Sequence, residues 1–143
     1  MSEQNKAVAR TFFEVFETGE LDRLDDMVAA DAVDHDPYNP HGDEGLEGMK
    51  KTVTMYREAF PDLSFTIDDQ IAEGDKVVTR WTGRGTHQGE LMGAPATGRT
   101  STVIGIGIDR FEDGMIVEAW GCWDALGMFQ QLGLTGEPAG ARA

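Results

Sequence analysis

The sequence predicts an α+β domain, with helices laid over one face of an antiparallel sheet. Apolar residues recur with helical spacing up to Pro61, their period drops to two after it, and the strands so marked are joined by short turn signals. The 143 residues, 40% of them apolar, suffice for one hydrophobic core and fall short of two domains. One domain over residues 1–134 is therefore expected, followed by a flexible tail at 135–143 that carries Gly136, Pro138 and Gly140.

Val8, Phe12, Val15 and Phe16 fall on one helical face, so the first segment reads as an amphipathic helix with a phenylalanine-rich stripe, ended by Gly19. Leu21, Leu24 and Val28 suggest a short second helix, and 32–36 a brief strand before the turn-rich run from Pro37 to Gly42. Leu46, Met49, Val53, Tyr56 and Phe60 return to helical spacing, and Pro61 stops that helix. Phe65, Ile67 and Ile71 then mark a strand, Glu73-Gly74-Asp75 a turn, and 76–87 a long strand with Val77, Val78 and Trp81. After the loop 91–98, a strand at 100–111 is linked through the hairpin signal Asp113-Gly114 to a last strand at 115–124, and a short helix follows at 125–132.

Composition excludes several functions. A net charge of −14, from 26 acids against 12 bases, repels a phosphate backbone, so no nucleic-acid partner is expected. No membrane association is expected either, since no run approaches the roughly 20 apolar residues of a span. The start, Met1-Ser2-Glu3-Gln4-Asn5-Lys6, lacks a signal-peptide pattern, and the single Cys122 offers no internal disulfide; both point to the cytoplasm. The aspartate-rich, lysine-poor surface also suits a high-salt cytoplasm, where its self-repulsion is screened.

From 59 onward a series of motifs stands in order: Ala59-Phe60-Pro61-Asp62-Leu63, Ile71-Ala72-Glu73-Gly74-Asp75-Lys76-Val77-Val78, Arg80-Trp81-Thr82, Gly85-Thr86-His87-Gln88-Gly89-Glu90 and Pro95-Ala96-Thr97-Gly98. Asp113-Gly114-Met115-Ile116-Val117-Glu118-Ala119-Trp120 and Asp124 follow, ahead of 126–133. Together they resemble the SnoaL-like polyketide cyclases, or ester cyclases, of the nuclear-transport-factor-2-like fold. The resemblance implies a cone, a bent sheet wrapped around a pocket whose mouth the N-terminal helices close. It also implies ring closure by intramolecular aldol condensation without metal or cofactor, an aspartate at the end of the last strand serving as acid and base; the matching position is Asp124.

Strand parity groups Asp124 with Ile116, Glu118, Trp120 and Cys122, an environment that would raise a carboxyl pKa toward neutrality. Two roles are open to it: proton exchange with a carbonyl substrate, or capping the helix that starts at Ala125. His87, at the end of the long strand, and His35, in Asp34-His35-Asp36-Pro37, are candidates to polarise or position a carbonyl, or else half-buried hydrogen-bonding residues. His41 is assigned to a loop, and His35, Asp36 and His41 match no metal-ligand spacing, so no metal is expected. Phe12, Phe16, Met49, Trp81 and Trp120 are the candidate walls for a small hydrophobic organic molecule. Arg80 faces either the pocket or the outside, depending on bulges. Ile104, Ile106 and Ile108 alternate with Gly105 and Gly107 to offer an apolar outer face, from which a homodimer is expected. A cyclase or isomerase leads among the functions, and a non-catalytic metabolite-binding protein is the alternative.

Overall fold

In the computed structural model, which describes residues 2–134, helix α1 (Ser2–Thr18) leads through a 3-10 helix (Leu21–Asp26) into strand β1 (Val28–Asp34) and helix α2 (Gly45–Ala59). Strands β2 (Ser64–Glu73), β3 (Lys76–Thr86), β4 (Thr100–Glu112) and β5 (Met115–Trp123) follow, and helix α3 (Ala125–Leu132) closes the order. All five strands form one sheet in the order β1-β5-β4-β3-β2. The expected α+β class holds. The tail expected at 135–143 lies outside the described residues.

Two expectations need correction. Val28 opens β1 instead of ending a second helix, because the 3-10 helix stops at Asp26. The sheet is not wholly antiparallel either: β1 runs parallel to β5, which is inserted between β1 and β4. Hairpin signals mark neighbours joined by a turn, and β1 has no such neighbour.

The turn between β4 and β5 shows why those strands pair: Asp113 and Gly114 both take positive φ, 52° and 78°, as a tight hairpin requires. Two bulges in the antiparallel ladders bend the sheet. Asp68 has no partner between Ile67↔Trp81 and Asp69↔Arg80, and Val117 has none between Phe111↔Ile116 and Arg110↔Glu118.

α2 lies against β1, and α1 against β2 and β3. Their apolar stripes meet in a cluster of Val15, Leu24, Met27, Val28, Ala32 and Val53. A second cluster, with Phe60, Leu91, Val103, Met128 and Leu132, fixes α3 at the other end. Leu24, Leu91 and Leu132 are wholly buried, each contributing about 2–3 kcal/mol by removal from water. Between these clusters the concave side of the sheet is not filled. Among the described residues no helix is long and apolar enough to cross a membrane.

Candidate active site

Register across the sheet builds the unfilled region row by row. In one row Trp81 of β3 faces Gly105 of β4 and Trp123 of β5. In the next, Thr79, Gly107 and Gly121 stand side by side, and in the third Val77, Asp109, Ala119 and Asp34. Tryptophans border one side, carboxylates the other, and bare backbone lies between. The result is a cavity of about 190 Å³. From above, α1 contributes Phe12, Phe13 and Phe16, and α2 contributes Met49, Thr52 and Tyr56. Phe13 and Phe16 pack edge-on against Phe65, at centroid distances of 5.2 and 5.7 Å, and Phe65 in turn packs edge-on against Trp81 at 5.4 Å.

Three aspartates enter this apolar space. Asp109 and Asp34 both pair with Ala119, so their Cα atoms lie two strand spacings apart, roughly 10 Å. Asp34 accepts from the Asn39 Nδ2–H at 2.8 Å and the Asp36 N–H at 3.0 Å. Asp36 accepts from the Trp123 Nε1–H and the Tyr38 N–H, both at 2.9 Å. Burial raises the Asp36 pKa against the pull of those two donors, and the Asp34 charge adds to the rise. The Asp109 carboxyl has no hydrogen-bond partner among the described residues; burial, then the Asp34 charge, pushes its pKa up to about 7. Its remaining accessible surface belongs to the cavity it lines. Burial pushes the Tyr56 phenol above its ordinary value, so it stays a protonated donor facing the same space. An unpartnered carboxyl that is half ionised near neutrality, in a cavity that a phenol also lines, can take up and return a proton.

Asp124, the residue that the resemblance and strand parity pointed to, is outside this space. It is exposed, and its Oδ1 accepts from the Gly127 N–H at 2.9 Å as the N-cap of α3. The unpartnered Val117 is the physical reason: beyond that bulge Ala119, Gly121 and Trp123 turn inward, so Ile116 and Asp124 no longer share a face. His35 faces the convex side, between the inward Asp34 and Asp36; its Nε2 meets Glu118 Oε2 at 2.8 Å and its ring stacks on Trp120 at 5.4 Å. His87 is fully buried but does not line the cavity, since the Phe60 ring packs over Gly85 and against the imidazole at 5.7 Å. Its Nδ1 accepts from the Thr97 N–H at 3.2 Å, which ties down the base of the β3–β4 loop.

Phe12, Phe16, Met49 and Trp81 line the cavity as side chains on the helix and strand faces that cover it. Trp120 touches it, but its ring lies on the convex side with His35 and is 36% exposed. Arg80 points outward, its neighbours Thr79 and Trp81 inward. His41 pairs with Glu44 at 2.7 Å, and among the described residues no three His, Cys, Asp or Glu side chains converge on a point.

Sequence reasoning missed Asp109, Asp34, Asp36 and Tyr56 as a group. A signal existed for Asp109: it shares parity with Gly105, Gly107 and Phe111 on the side of β4 opposite its isoleucines, an acid placed on the inner face. Asp34 and Asp36 carry no signal of their own in a chain with 26 acids.

Comparison with known proteins agrees with this architecture. A family model for SnoaL-like polyketide cyclases matches residues 6–132. TsrD from Streptomyces laurentii superposes with a TM-score of 0.85 at 31% identity, covering 94% of this chain and 98% of that one. IdmH from Streptomyces antibioticus, a proposed polyketide cyclase, superposes with a TM-score of 0.78 at 36% identity, covering 91% and 99%. A proposed polyketide cyclase of Acidithiobacillus ferrooxidans gives 0.81 at 32% identity, covering 92% and 96%. No curated protein matches. With the family match spanning nearly every described element, and with the bent sheet and helix-covered cavity of the nuclear-transport-factor-2-like fold, the chain belongs to the SnoaL-like polyketide cyclase family.

Proposed function

We propose that the chain is a cofactor-independent enzyme that closes a ring on a hydrophobic carbonyl substrate, by intramolecular aldol condensation or a related proton-transfer isomerisation. The observation that carries this is the Asp109 carboxyl, unpartnered and facing an apolar cavity, with a pKa of about 7. As carboxylate it removes the acidic C–H proton between two carbonyls. The enolate carbon then attacks a third, more distant carbonyl of the same molecule, forming the C–C bond as that C=O π bond opens, and the resulting alkoxide takes the proton back from Asp109. Tyr56 donates a hydrogen bond to the developing oxyanion, which counts for more in a dry site than in water. Phe12, Phe16, Met49 and Trp81 hold the hydrophobic body of the substrate and exclude water. Asp36, tied to Trp123 and Tyr38, fixes the tryptophan side of the chamber. Asp124, His35 and His87 take no part in proton transfer.

The test is turnover of linear aromatic β-keto esters that carry a further ketone as acceptor, by the wild type and by Asp109→Asn, with binding followed separately by calorimetry. Wild type should cyclise at least one of them, and the variant should bind it unchanged while kcat falls about 100-fold or more. Full activity of Asp109→Asn would remove Asp109 from the mechanism. Tight binding without conversion by the wild type would instead make the chain a metabolite-binding protein.

A further inference from the structure

Glycines on the concave face of the sheet are of two kinds. A Cβ on Gly105 would lie 2.6 Å from Trp81 Cε2 and 2.8 Å from Trp123 Cβ; on Gly83 it would lie 2.9 Å from Phe65, and on Gly85 2.9 Å from Phe60. Those three are glycine because neighbouring side chains occupy the room. Gly107 and Gly121 differ. A Cβ on Gly107 would meet only the Trp120 carbonyl oxygen, at 3.6 Å, and one on Gly121 would come no nearer than 3.5 Å, to Asp36. Neither has a positive φ, so backbone conformation does not demand glycine at either position. Nothing in the fold needs these two side chains to be missing, yet both line the cavity at the centre of its floor.

We infer that Gly107 and Gly121 determine substrate size, leaving a strip of bare backbone on which a flat ring system lies with one edge toward Asp109 and the other toward Trp81 and Trp123. A ligand is called for by a second, independent feature: the deeply buried Asp109 carboxyl opens onto this strip without a hydrogen-bond partner among the described residues. The dimensions admit at least one aromatic ring, since a cavity of about 150 Å³ holds benzene and this one measures about 190 Å³. Aryl ketones of different size probe this limit, since their rings can reach the strip while the carbonyl approaches Asp109 and Tyr56. This rests on the acid–base reading of the cavity and adds what that reading leaves open, the shape of the substrate.

Calorimetric Kd values for acetophenone and 2-acetylnaphthalene, which differ by one fused ring, test it on the full chain. Wild type should bind the naphthyl ketone more tightly. Gly107→Val should weaken the naphthyl ketone about 10-fold or more and acetophenone less than about 3-fold. Gly107→Ala and Gly121→Ala, with room for a methyl, should show the same ordering at smaller size and keep the wild-type melting temperature, so the test survives if the valine variant does not fold. Equal loss of both ketones, unchanged Kd values for both, or a wild type that binds neither would overturn the assignment. Asp109→Asn should keep the wild-type ratio of the two Kd values, so a failed acid–base mechanism and a failed glycine floor give different results.

Discussion

Holding the Asp109 carboxyl in an apolar cavity costs folding free energy whenever it is ionised, since its pKa moves from 3.8 to about 7 on folding. Between those pH values the folded chain keeps a proton that the unfolded chain has released. Stability therefore falls as pH rises through this window, and the penalty is complete above it. Asp109→Asn should accordingly be more stable than wild type by roughly 2–4 kcal/mol at pH 8, with the gain fading toward pH 4. Urea unfolding at the two pH values measures it, and an equal difference at both would mean that the carboxyl titrates normally. The same ionisation sets activity: kcat/KM should climb with pH and level off beyond an inflection near 7, because the free enzyme starts as the base. Asp124 acts on the helix alone. Asp124→Ala should cost about 0.5–2 kcal/mol through loss of the α3 cap and leave turnover as it was, which a melting curve beside an assay will show.

At the scale of elements, α2 depends on one glycine. Gly45 opens the helix at φ 66°, where a Cβ would overlap the Ala30 carbonyl oxygen of β1, so Gly45→Ala must push α2, with Met49, Thr52 and Tyr56, away from the sheet. A loss of more than about 2 kcal/mol in urea unfolding, with weaker ketone binding, is the expected outcome. The elements themselves were legible. The periodicity of Val8 to Phe16 and of Leu46 to Phe60 marks α1 and α2, and turn chemistry at Glu73-Gly74-Asp75 and Asp113-Gly114 places β2 to β5 within a residue or two. The walls were legible for the same reason, since Phe12, Phe16, Met49 and Trp81 sit on the faces their spacing assigns. The proton-transfer group was not. Facing along β5 is counted in steps of two, a single unpaired Val117 reverses the count, and nothing in its residue type announces a bulge. Asp34 was hidden differently: its approach to Asp109 depends on a parallel pairing between segments some 80 residues apart, which no local pattern encodes.

At the scale of the whole molecule, no described residue covers the convex face of the sheet. Ile104 is 63% exposed, Ile106 47% and Ile71 61%, and Cys122, which pairs with Ile106 across β4 and β5, is exposed beside them. A second copy of the chain is the proposed cover, and Ile106→Glu should then halve the mass seen by light scattering, whereas a wild type already monomeric at working concentration would dismiss it. The position of β5 has a consequence for synthesis. Because this strand, near the end of the described chain, is wedged between β1 and β4, β1 emerges from the ribosome long before its partner β5 exists. Until residues 115–123 arrive, Asp34 and Asp109 belong to separate pieces of chain, and the chamber has no floor at Gly121. Loop closure over that distance is slow, so folding should end with insertion of β5, and a nascent chain halted at the Asp113-Gly114 turn would display an open sheet edge to any chaperone nearby.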